Sequence, residues 1–229
     1  MKKYLALLLA LAMLALTACG TAQANTENKN TDAPAENAGQ TLPVDTVEAK
    51  RIEPLAETLD VSNLKDATVA VGFGSDAVHE QDGQMQVDLT IYSYDVYDMV
   101  DMSQLTVGDT IVVDGKEMLV SSREEENGVI AINGGYENDG AYFASGDDGV
   151  YYVIGPDDMK DYREIGKLTV PLSDDFVLTD NSDLSNPDKT YTAADLAQLA
   201  EEGAGFQPAN TLATLENGQL TTLTRSYTP

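Results

Sequence analysis

Residues 84–93 read QMQVDLTIYS, and the apolar side chains of this stretch recur at every second position. From Met85 to Ile91 each odd-numbered residue is large and apolar, whereas the residues between them are polar. A period of two is the period of a β-strand that buries one face. The stretch therefore predicts a half-buried antiparallel strand, and the phrase TVAVGFG at residues 68–74 repeats the pattern.

Turn signals between apolar runs predict that such strands are joined as hairpins. Asp114-Gly115 separates the two runs of TIVVDGKEMLV, and Asn217-Gly218 separates those of TLATLENGQLTTLT. Both dipeptides suit type I′ turns, in which the two central residues have positive φ. A looser turn at residues 146–149 joins AYFAS to VYYVIG. Further strands are predicted in GVIAIN, GKLTVPL and DFVLTD.

A helix is predicted at residues 192–202, within the phrase TAADLAQLAEEG. Thr192 is placed to cap the first turn, Asp195 stands three residues later as in a capping box, and Gly203 is placed to end the helix. A shorter turn of helix is predicted around MVDMSQL, residues 99–105.

Many strands, tight turns and one clear helix together predict a mainly β fold. An antiparallel sheet is expected to curl into a barrel or a sandwich, with one short helix near residues 192–202. An α+β fold is the alternative. Residues 105–116, LTVGDTIVVDGK, resemble the strand-turn phrase of small SH3-like or OB-like barrels.

The first residues have the pattern of a secretion signal. Lys2 and Lys3 precede an unbroken apolar run over residues 5–16. At about 1.5 Å per residue this run spans only about 18 Å, too short for a hydrocarbon core of about 30 Å. A basic start followed by a short apolar core and small residues is typical of an exported protein.

Leu16-Thr17-Ala18-Cys19 resembles the lipobox of bacterial lipoproteins at all four positions, and Cys19 is the only cysteine of the chain. The resemblance implies cleavage after Ala18 and diacylglycerol on the Cys19 thiol. Two acyl chains give stable anchoring, whereas one gives only marginal binding. The expected location is therefore extracytoplasmic, at the surface of a bacterial membrane that Cys19 contacts through its lipid.

Three segments are predicted along the chain. Residues 1–18 are the lipoprotein signal peptide. Residues 19–45 are poor in large apolar side chains and are predicted to form a disordered, acidic and polar tether. Residues 46–229 are predicted to form a single, mostly β extracytoplasmic domain, since this length is enough for one real core.

The charge of the chain bears on its partners. The formal net charge is −26, and loss of residues 1–18, with two of the 13 basic residues and none of the 39 acidic ones, makes it −28. A phosphate backbone would be repelled, which argues against nucleic acid. Anionic headgroups would be repelled too, so the lipid on Cys19 is the expected membrane contact.

The stretch YSYDVYD is the candidate ligand face. Aromatic faces with carboxylates between them can stack on sugars or hold a cationic group. Tyrosine is also a favoured strand residue that packs in cross-strand pairs, and a structural role is the alternative. The candidate face consists of Tyr92, Tyr94, Asp95, Tyr97 and Asp98.

No catalytic residue, cofactor or metal site is predicted from the motifs. None of the acidic loops has the spacing of a calcium loop; the loop at 180–188 has Leu184 where a ligand should stand. A weak calcium site built from two loops is the alternative to solvated turns. His79, the sole histidine, is predicted to lie in a surface loop, and residues 124–127 to form a charged turn.

The sequence therefore favours a membrane-anchored, non-catalytic binding or accessory domain. Its expected partner is another protein or a wall glycan. One alternative is a carboxylate-dependent hydrolase of glycans or cell wall, because a chain with this many acidic residues offers carboxylate pairs. Another is a calcium-stabilised adhesion or structural module.

Overall fold

Strands dominate the residues that the computed structural model describes, which are 48–55, 59–146 and 148–228. In chain order the elements are β1 (Arg51–Ile52), β2 (Ala67–Gly72), β3 (Val78–Gln81), β4 (Gln84–Ser93), β5 (Val96–Asp98), α1 (Met99–Gln104), β6 (Thr110–Val113), β7 (Lys116–Leu119), β8 (Arg123–Glu126), β9 (Val129–Ile132), β10 (Ala141–Ser145), β11 (Val150–Ile154), β12 (Arg163–Asn181), β13 (Lys189–Tyr191), α2 (Ala193–Glu201), β14 (Thr211–Glu216) and β15 (Gln219–Ser226). The predicted signal peptide, Cys19 and the tether lie outside the described residues.

Five of the strands form a closed ring, which we call the barrel. β2 pairs with β4 and with β14, β14 pairs with β15, β15 pairs with β12, and β12 returns to β4. Four of these ladders are antiparallel, and the ladder between β12 and β15 is parallel. This order, with α2 between β12 and β14, is that of a five-stranded Greek-key barrel of the OB type. β3 and β13 extend the sheet beyond the ring.

The ring closes because the long strand β12 serves two neighbours in turn. Its residues 163–171 pair with β4, and from Leu172 onward it pairs with β15. The register shifts between Leu172 and Val177, as at a β-bulge. A bulge bends a strand and increases its twist. The bend lets one strand close the sheet, and the predicted antiparallel sheet curled into a barrel or sandwich is confirmed.

The interior of the barrel is mainly aliphatic, as the alternation in β4 predicts, with Phe176 and Phe206 added to it. Val87, Leu89 and Ile91 point inward and are almost fully buried. Helix α2 packs against the same core through Leu196 and Ala200. The backbone N–H of its cap residue donates to the carboxylate three residues on, at 2.8 Å, so the predicted capping box is confirmed.

Residues 96–154, which lie between β4 and β12, form a second structure together with β1. We call it the inserted lobe. Its five-stranded sheet has the order β5-β11-β10-β9-β8, and its three-stranded sheet has the order β1-β6-β7. A separate core fills it, with Tyr97, Met102, Phe143 and Tyr151 among its buried side chains. The predicted short helix near residue 99 is α1 of this lobe.

The three predicted hairpins are present. Asp114-Gly115 joins β6 to β7, Asn217-Gly218 joins β14 to β15, and the turn at 146–149 joins β10 to β11. The phrase at residues 105–116, which resembles a small barrel, lies in the inserted lobe and contributes no strand to the ring.

Two predictions of irregular structure are wrong. The stretch around His79 is strand β3, because Asp82-Gly83 forms a tight turn that folds it onto β4. The predicted charged turn at 124–127 is mostly strand β8, because the turn is Asn127-Gly128 and pairs β8 with β9. Both segments are edge strands, and their polar residues are largely solvent-exposed, so a polar sequence here does not indicate a loop.

Candidate functional site

A cleft of about 690 Å³ opens where β4 leaves the barrel for the inserted lobe. We call it the junction cleft. It is lined by Pro54, Leu55, Leu59, Thr68, Val69, Ala70, Tyr92, Ser93, Tyr94, Asp95, Val96, Lys160, Tyr162, Arg163, Pro208, Ala209, Asn210, Thr211, Leu212 and Ser226. A volume of a few hundred cubic ångströms is typical of sites for small molecules or short peptide segments.

Three cross-strand neighbours on the outer face of the barrel form an apolar row in this cleft. Leu212 of β14 stands opposite Ala70 of β2, and Ala70 in turn stands opposite Tyr92 of β4. Directly opposed side chains lie about 5 Å apart on one face of a sheet. Leu212 is 46% exposed, and Leu55, which also lines the cleft, is 50% exposed. The row therefore offers apolar surface to a ligand.

The two segments that connect the barrel to the inserted lobe supply an aromatic wall around one cation. The ammonium Nζ of Lys160 donates to the hydroxyl of Tyr94 at 2.7 Å and lies 4.2 Å from the centre of that ring. The Tyr162 ring meets the Tyr94 ring edge-to-face at 5.3 Å, and Tyr152 lies 5.0 Å from the ammonium. Such cation–π contacts hold an ammonium group in place.

The surroundings of Lys160 and Tyr162 determine their protonation states. Burial lowers the pKa of Lys160, but the hydrogen bond to Tyr94 and the neighbouring tyrosine oxygens raise the pKa by more, so the net shift is upward. Burial also raises the pKa of Tyr162, against the opposing charge of Lys160. At neutral pH Lys160 is therefore a cation and Tyr162 a neutral hydrogen-bonding group.

Asp95 and Arg163 form the second charged feature of the cleft. The Asp95 carboxylate is 4% exposed; one oxygen lies 2.5 Å from the Arg163 guanidinium, and the other accepts the backbone N–H of Asp114 at 2.7 Å. A smaller hollow of about 120 Å³ shares this pair with the cleft and also touches Asp114 and Asp161. The ion pair ties the two connecting segments to each other.

The predicted ligand face is divided by the structure. Tyr92, Tyr94 and Asp95 line the junction cleft. Tyr97 is fully buried in the inserted lobe, where its hydroxyl donates to the carbonyl of Val112 at 2.7 Å. Burial, and then the nearby Asp95 carboxylate, raise the pKa of Tyr97 well above its usual range.

Asp98, the last residue of the predicted face, has a local role. Its carboxylate accepts the backbone N–H groups of Val100 and Asp101 at 2.7 and 3.2 Å. It is therefore the N-cap of α1. Asp98 is not among the residues that line the junction cleft.

The candidate face predicted from the sequence does not include Lys160, Tyr162 or Arg163. They lie far from the candidate face along the chain and reach it because Arg163 stands opposite Ser93 in the ladder of β12 and β4. A signal was present: KDYR at residues 160–163 places two of the 13 basic residues around a tyrosine in an otherwise acidic chain.

The cleft is locally cationic. Among the described lining residues the charged ones are Lys160, Arg163 and Asp95, which sum to a single positive charge in a chain of net charge −26. Asp95 is the one carboxylate among them. Acid–base hydrolysis of a glycosidic bond uses two carboxyl groups that flank the bond.

Across residues 48–55, 59–146 and 148–228, no cluster of three or more His, Cys, Asp or Glu side chains is arranged to hold a metal ion. The alternative of a weak calcium site built from two loops stays untested. No helix of those same ranges is long and apolar enough to cross a membrane.

Comparison with known proteins gives no relative for this chain. No family model matches it, and no curated protein or solved structure matches it either. The interpretation of the junction cleft therefore rests on its geometry and chemistry.

Proposed function

We propose that the chain is a lipid-anchored, extracytoplasmic binding module and that the junction cleft is its ligand site. The observation that carries the proposal is the combination, in one cleft of about 690 Å³, of exposed apolar side chains, tyrosine rings and a cation. Exposed apolar surface that is rimmed by polar groups marks interaction sites. The ligand would be a segment of a partner protein or a glycan of the wall.

The single carboxylate among the described lining residues favours a binding role over hydrolysis. Asp95 already accepts a backbone N–H and pairs with Arg163, and the lining offers no second carboxylate among the described residues. A general acid needs a raised pKa and a partner carboxylate across the bond. The arrangement supports holding a ligand and gives no support for cleaving one.

The proposed anchor is the lipid on Cys19. Changing Cys19→Ser removes the thiol that would carry it, and we expect the variant to leave the membrane fraction and appear in the soluble or secreted fraction. Fractionation and immunoblotting of cells that express each form measure this. Recovery of Cys19→Ser from membranes at the wild-type level would contradict the proposed anchor.

The proposed ligand site is tested by cross-linking the lipidated protein in its own membranes. Leu212→Asp places a charge in the apolar row of the cleft, whereas Val177→Asp changes a similarly exposed residue of β12 outside it; the two side chains are 46% and 39% exposed. We expect Leu212→Asp to lose cross-linked material that Val177→Asp retains. If both variants keep the full wild-type set, the junction cleft is not the ligand site.

A further inference from the structure

Several polar side chains of the junction cleft form hydrogen bonds within the protein itself. The Asn210 amide accepts the backbone N–H of Gln207 at 3.0 Å and donates to the carbonyl of Gly205 at 3.0 Å. The Thr211 hydroxyl donates to Asn210, and the Thr68 hydroxyl lies 3.0 Å from that of Thr214. These groups are not free to bind the hydroxyls of a sugar, which leaves the hydroxyls of Tyr92, Ser93, Tyr162 and Ser226 as the lining hydroxyls without a hydrogen bond to another described residue.

The apolar side chains of the lining favour a ligand with an apolar body. Pro54, Leu55, Leu59, Pro208 and Leu212 all line the cleft beside the tyrosines. At about 25 cal/mol per Å² of apolar surface removed from water, covering the exposed leucines is favourable for an apolar side chain. Tyrosine and arginine are also enriched where proteins bind one another.

The charge of a matching ligand is negative and small. Lys160 uses one ammonium hydrogen on Tyr94 and has no carboxylate within 4.0 Å among the described residues, whereas Arg163 is paired with Asp95. Two ammonium hydrogens thus remain for an anionic group. Because the whole chain carries −26, a polyanion is repelled at long range, and a single carboxylate suits the site better.

We infer that the ligand of the junction cleft is an extended peptide segment with an apolar side chain next to a free carboxylate. The carboxylate binds the Lys160 ammonium, and the apolar side chain packs on the row formed by Leu212, Ala70 and Tyr92. This inference rests on the proposed function, because it names the chemical class of the ligand at the same site.

The test is a titration of the ¹⁵N-labelled chain carrying Cys19→Ser, followed by amide chemical shifts. The probes are acetyl-Ala-Ala-Leu with a free carboxylate, the same peptide as its amide, a tetrasaccharide of N-acetylglucosamine, and decanoate. We expect the free acid to shift the amides of Ala70, Tyr92 and Leu212 and to bind about tenfold or more tightly than the amide, since a hydrogen bond to a charged group contributes about 1.5–3 kcal/mol.

Two variants separate the role of Lys160 from general charge. Lys160→Met should bring the affinity of the free acid down to that of the amide. Lys116→Met, which removes an exposed lysine at the turn between β6 and β7, should leave the preference intact. Unchanged spectral dispersion in both variants shows that each is folded, so that a lost preference reports binding.

Three results overturn the inference: equal binding of acid and amide, a preference for the acid that survives Lys160→Met, and shifts of the cleft amides by the tetrasaccharide or decanoate but not by the peptide. The last result identifies a different ligand class and leaves the cleft as a binding site. The proposed function fails separately, when Leu212→Asp keeps every cross-linked partner.

Discussion

The barrel and the inserted lobe are both built from short strands, yet different interactions hold them. The barrel closes its sheet into a ring and fills it with aliphatic side chains such as Leu89, Leu178 and Leu223. The inserted lobe has two open sheets and a core in which Tyr97 and Phe143 meet edge-to-face at 5.2 Å. Closure removes strand edges, which an open sheet must protect in another way.

Polar side chains stabilise the loops of the inserted lobe. The Asp109 carboxylate accepts the backbone N–H groups of Lys50 and Thr106 at 2.7 and 2.8 Å. The Asn133 side chain accepts from both the backbone and hydroxyl of Ser121 at 2.8 Å and donates to the carbonyl of Leu119 at 2.9 Å. The barrel also has such hydrogen bonds, as between Arg225 and Asp180, so the two parts differ chiefly in the closure of the sheet and in the composition of the core.

The largest expected effect is from truncation of each core. Phe143→Ala in the inserted lobe should lower the free energy of unfolding by about 3–5 kcal/mol, and Leu178→Ala in the barrel by about 2–5 kcal/mol, because each leaves a cavity among fully buried neighbours. Since the two cores are separate clusters, we expect each change to reduce hydrogen-exchange protection mainly in its own part.

Hydrogen exchange of the two variants, read amide by amide, provides the measurement, and Phe143→Leu serves as the milder control. Equal loss of protection in both parts for either variant would show that the barrel and the inserted lobe unfold as one unit. The contrast between them would then be one of packing alone.

A smaller effect is expected from the loop amides. Asn133 and Asn217 both have positive φ and both precede a glycine, so glycine can replace either without backbone strain. Asn133→Gly loses the hydrogen bonds to Ser121 and Leu119 and should cost about 1–2 kcal/mol. Asn217→Gly, at the barrel turn between β14 and β15, is the matched control.

Thermal unfolding of these two variants compares the loops directly. We expect the melting temperature to fall for Asn133→Gly and to change little for Asn217→Gly. Equal shifts would mean that the side-chain amide of Asn133 adds nothing beyond the conformation of the turn. The claim that side-chain hydrogen bonds stabilise the loops of the inserted lobe would then be wrong.

The smallest and most gradual effect is the loss of stability that we expect as the pH falls. In the barrel, burial raises the pKa of Asp180, but Arg225 and the hydrogen bonds from Ser182 together lower it by more; in the inserted lobe, the backbone N–H of Lys50 lowers the pKa of Asp109. An unfolded aspartate titrates near pH 3.9. Because both folded values lie below the unfolded one, their stabilisation is complete above that pH and is lost as the pH falls through the folded values.

Urea unfolding between about pH 6 and pH 2 measures this dependence. Asp109→Asn and Asp180→Asn should each flatten the fall in stability, the first for the inserted lobe and the second for the barrel. A pH dependence that neither substitution changes would show that other carboxylates cause it.

The sequence predicts the parts of the fold that local patterns determine. The alternation in residues 84–93, the Asp-Gly and Asn-Gly turns and the capped helix all appear as expected. No local sequence pattern predicts closure of the ring, because closure depends on a bend between Leu172 and Val177 and on a parallel pairing with a distant strand. The polar residues of edge strands β3 and β8 mask the alternation, so the sequence predicts a surface loop at the first and a charged turn at the second.

The candidate site follows the same rule. Tyr92, Tyr94 and Asp95 are neighbours in sequence, and their aromatic and acidic character predicts a ligand face. Lys160 and Arg163 join them only through the pairing of β12 with β4, so no local pattern links the two groups. Burial of Tyr97 also needs the tertiary structure, since a tyrosine in a strand is equally suited to core and surface.

The position of the inserted lobe also has a consequence for the order of folding. Ser93 and Arg163 are direct partners, so residues 94–162 act as the loop of one long hairpin. Closing an unstructured loop of about 70 residues costs about 3 kcal/mol more than closing a two-residue turn. A lobe that has already folded brings its own ends together and removes that cost. Folding of the lobe before the ring would therefore ease the pairing of β4 with β12.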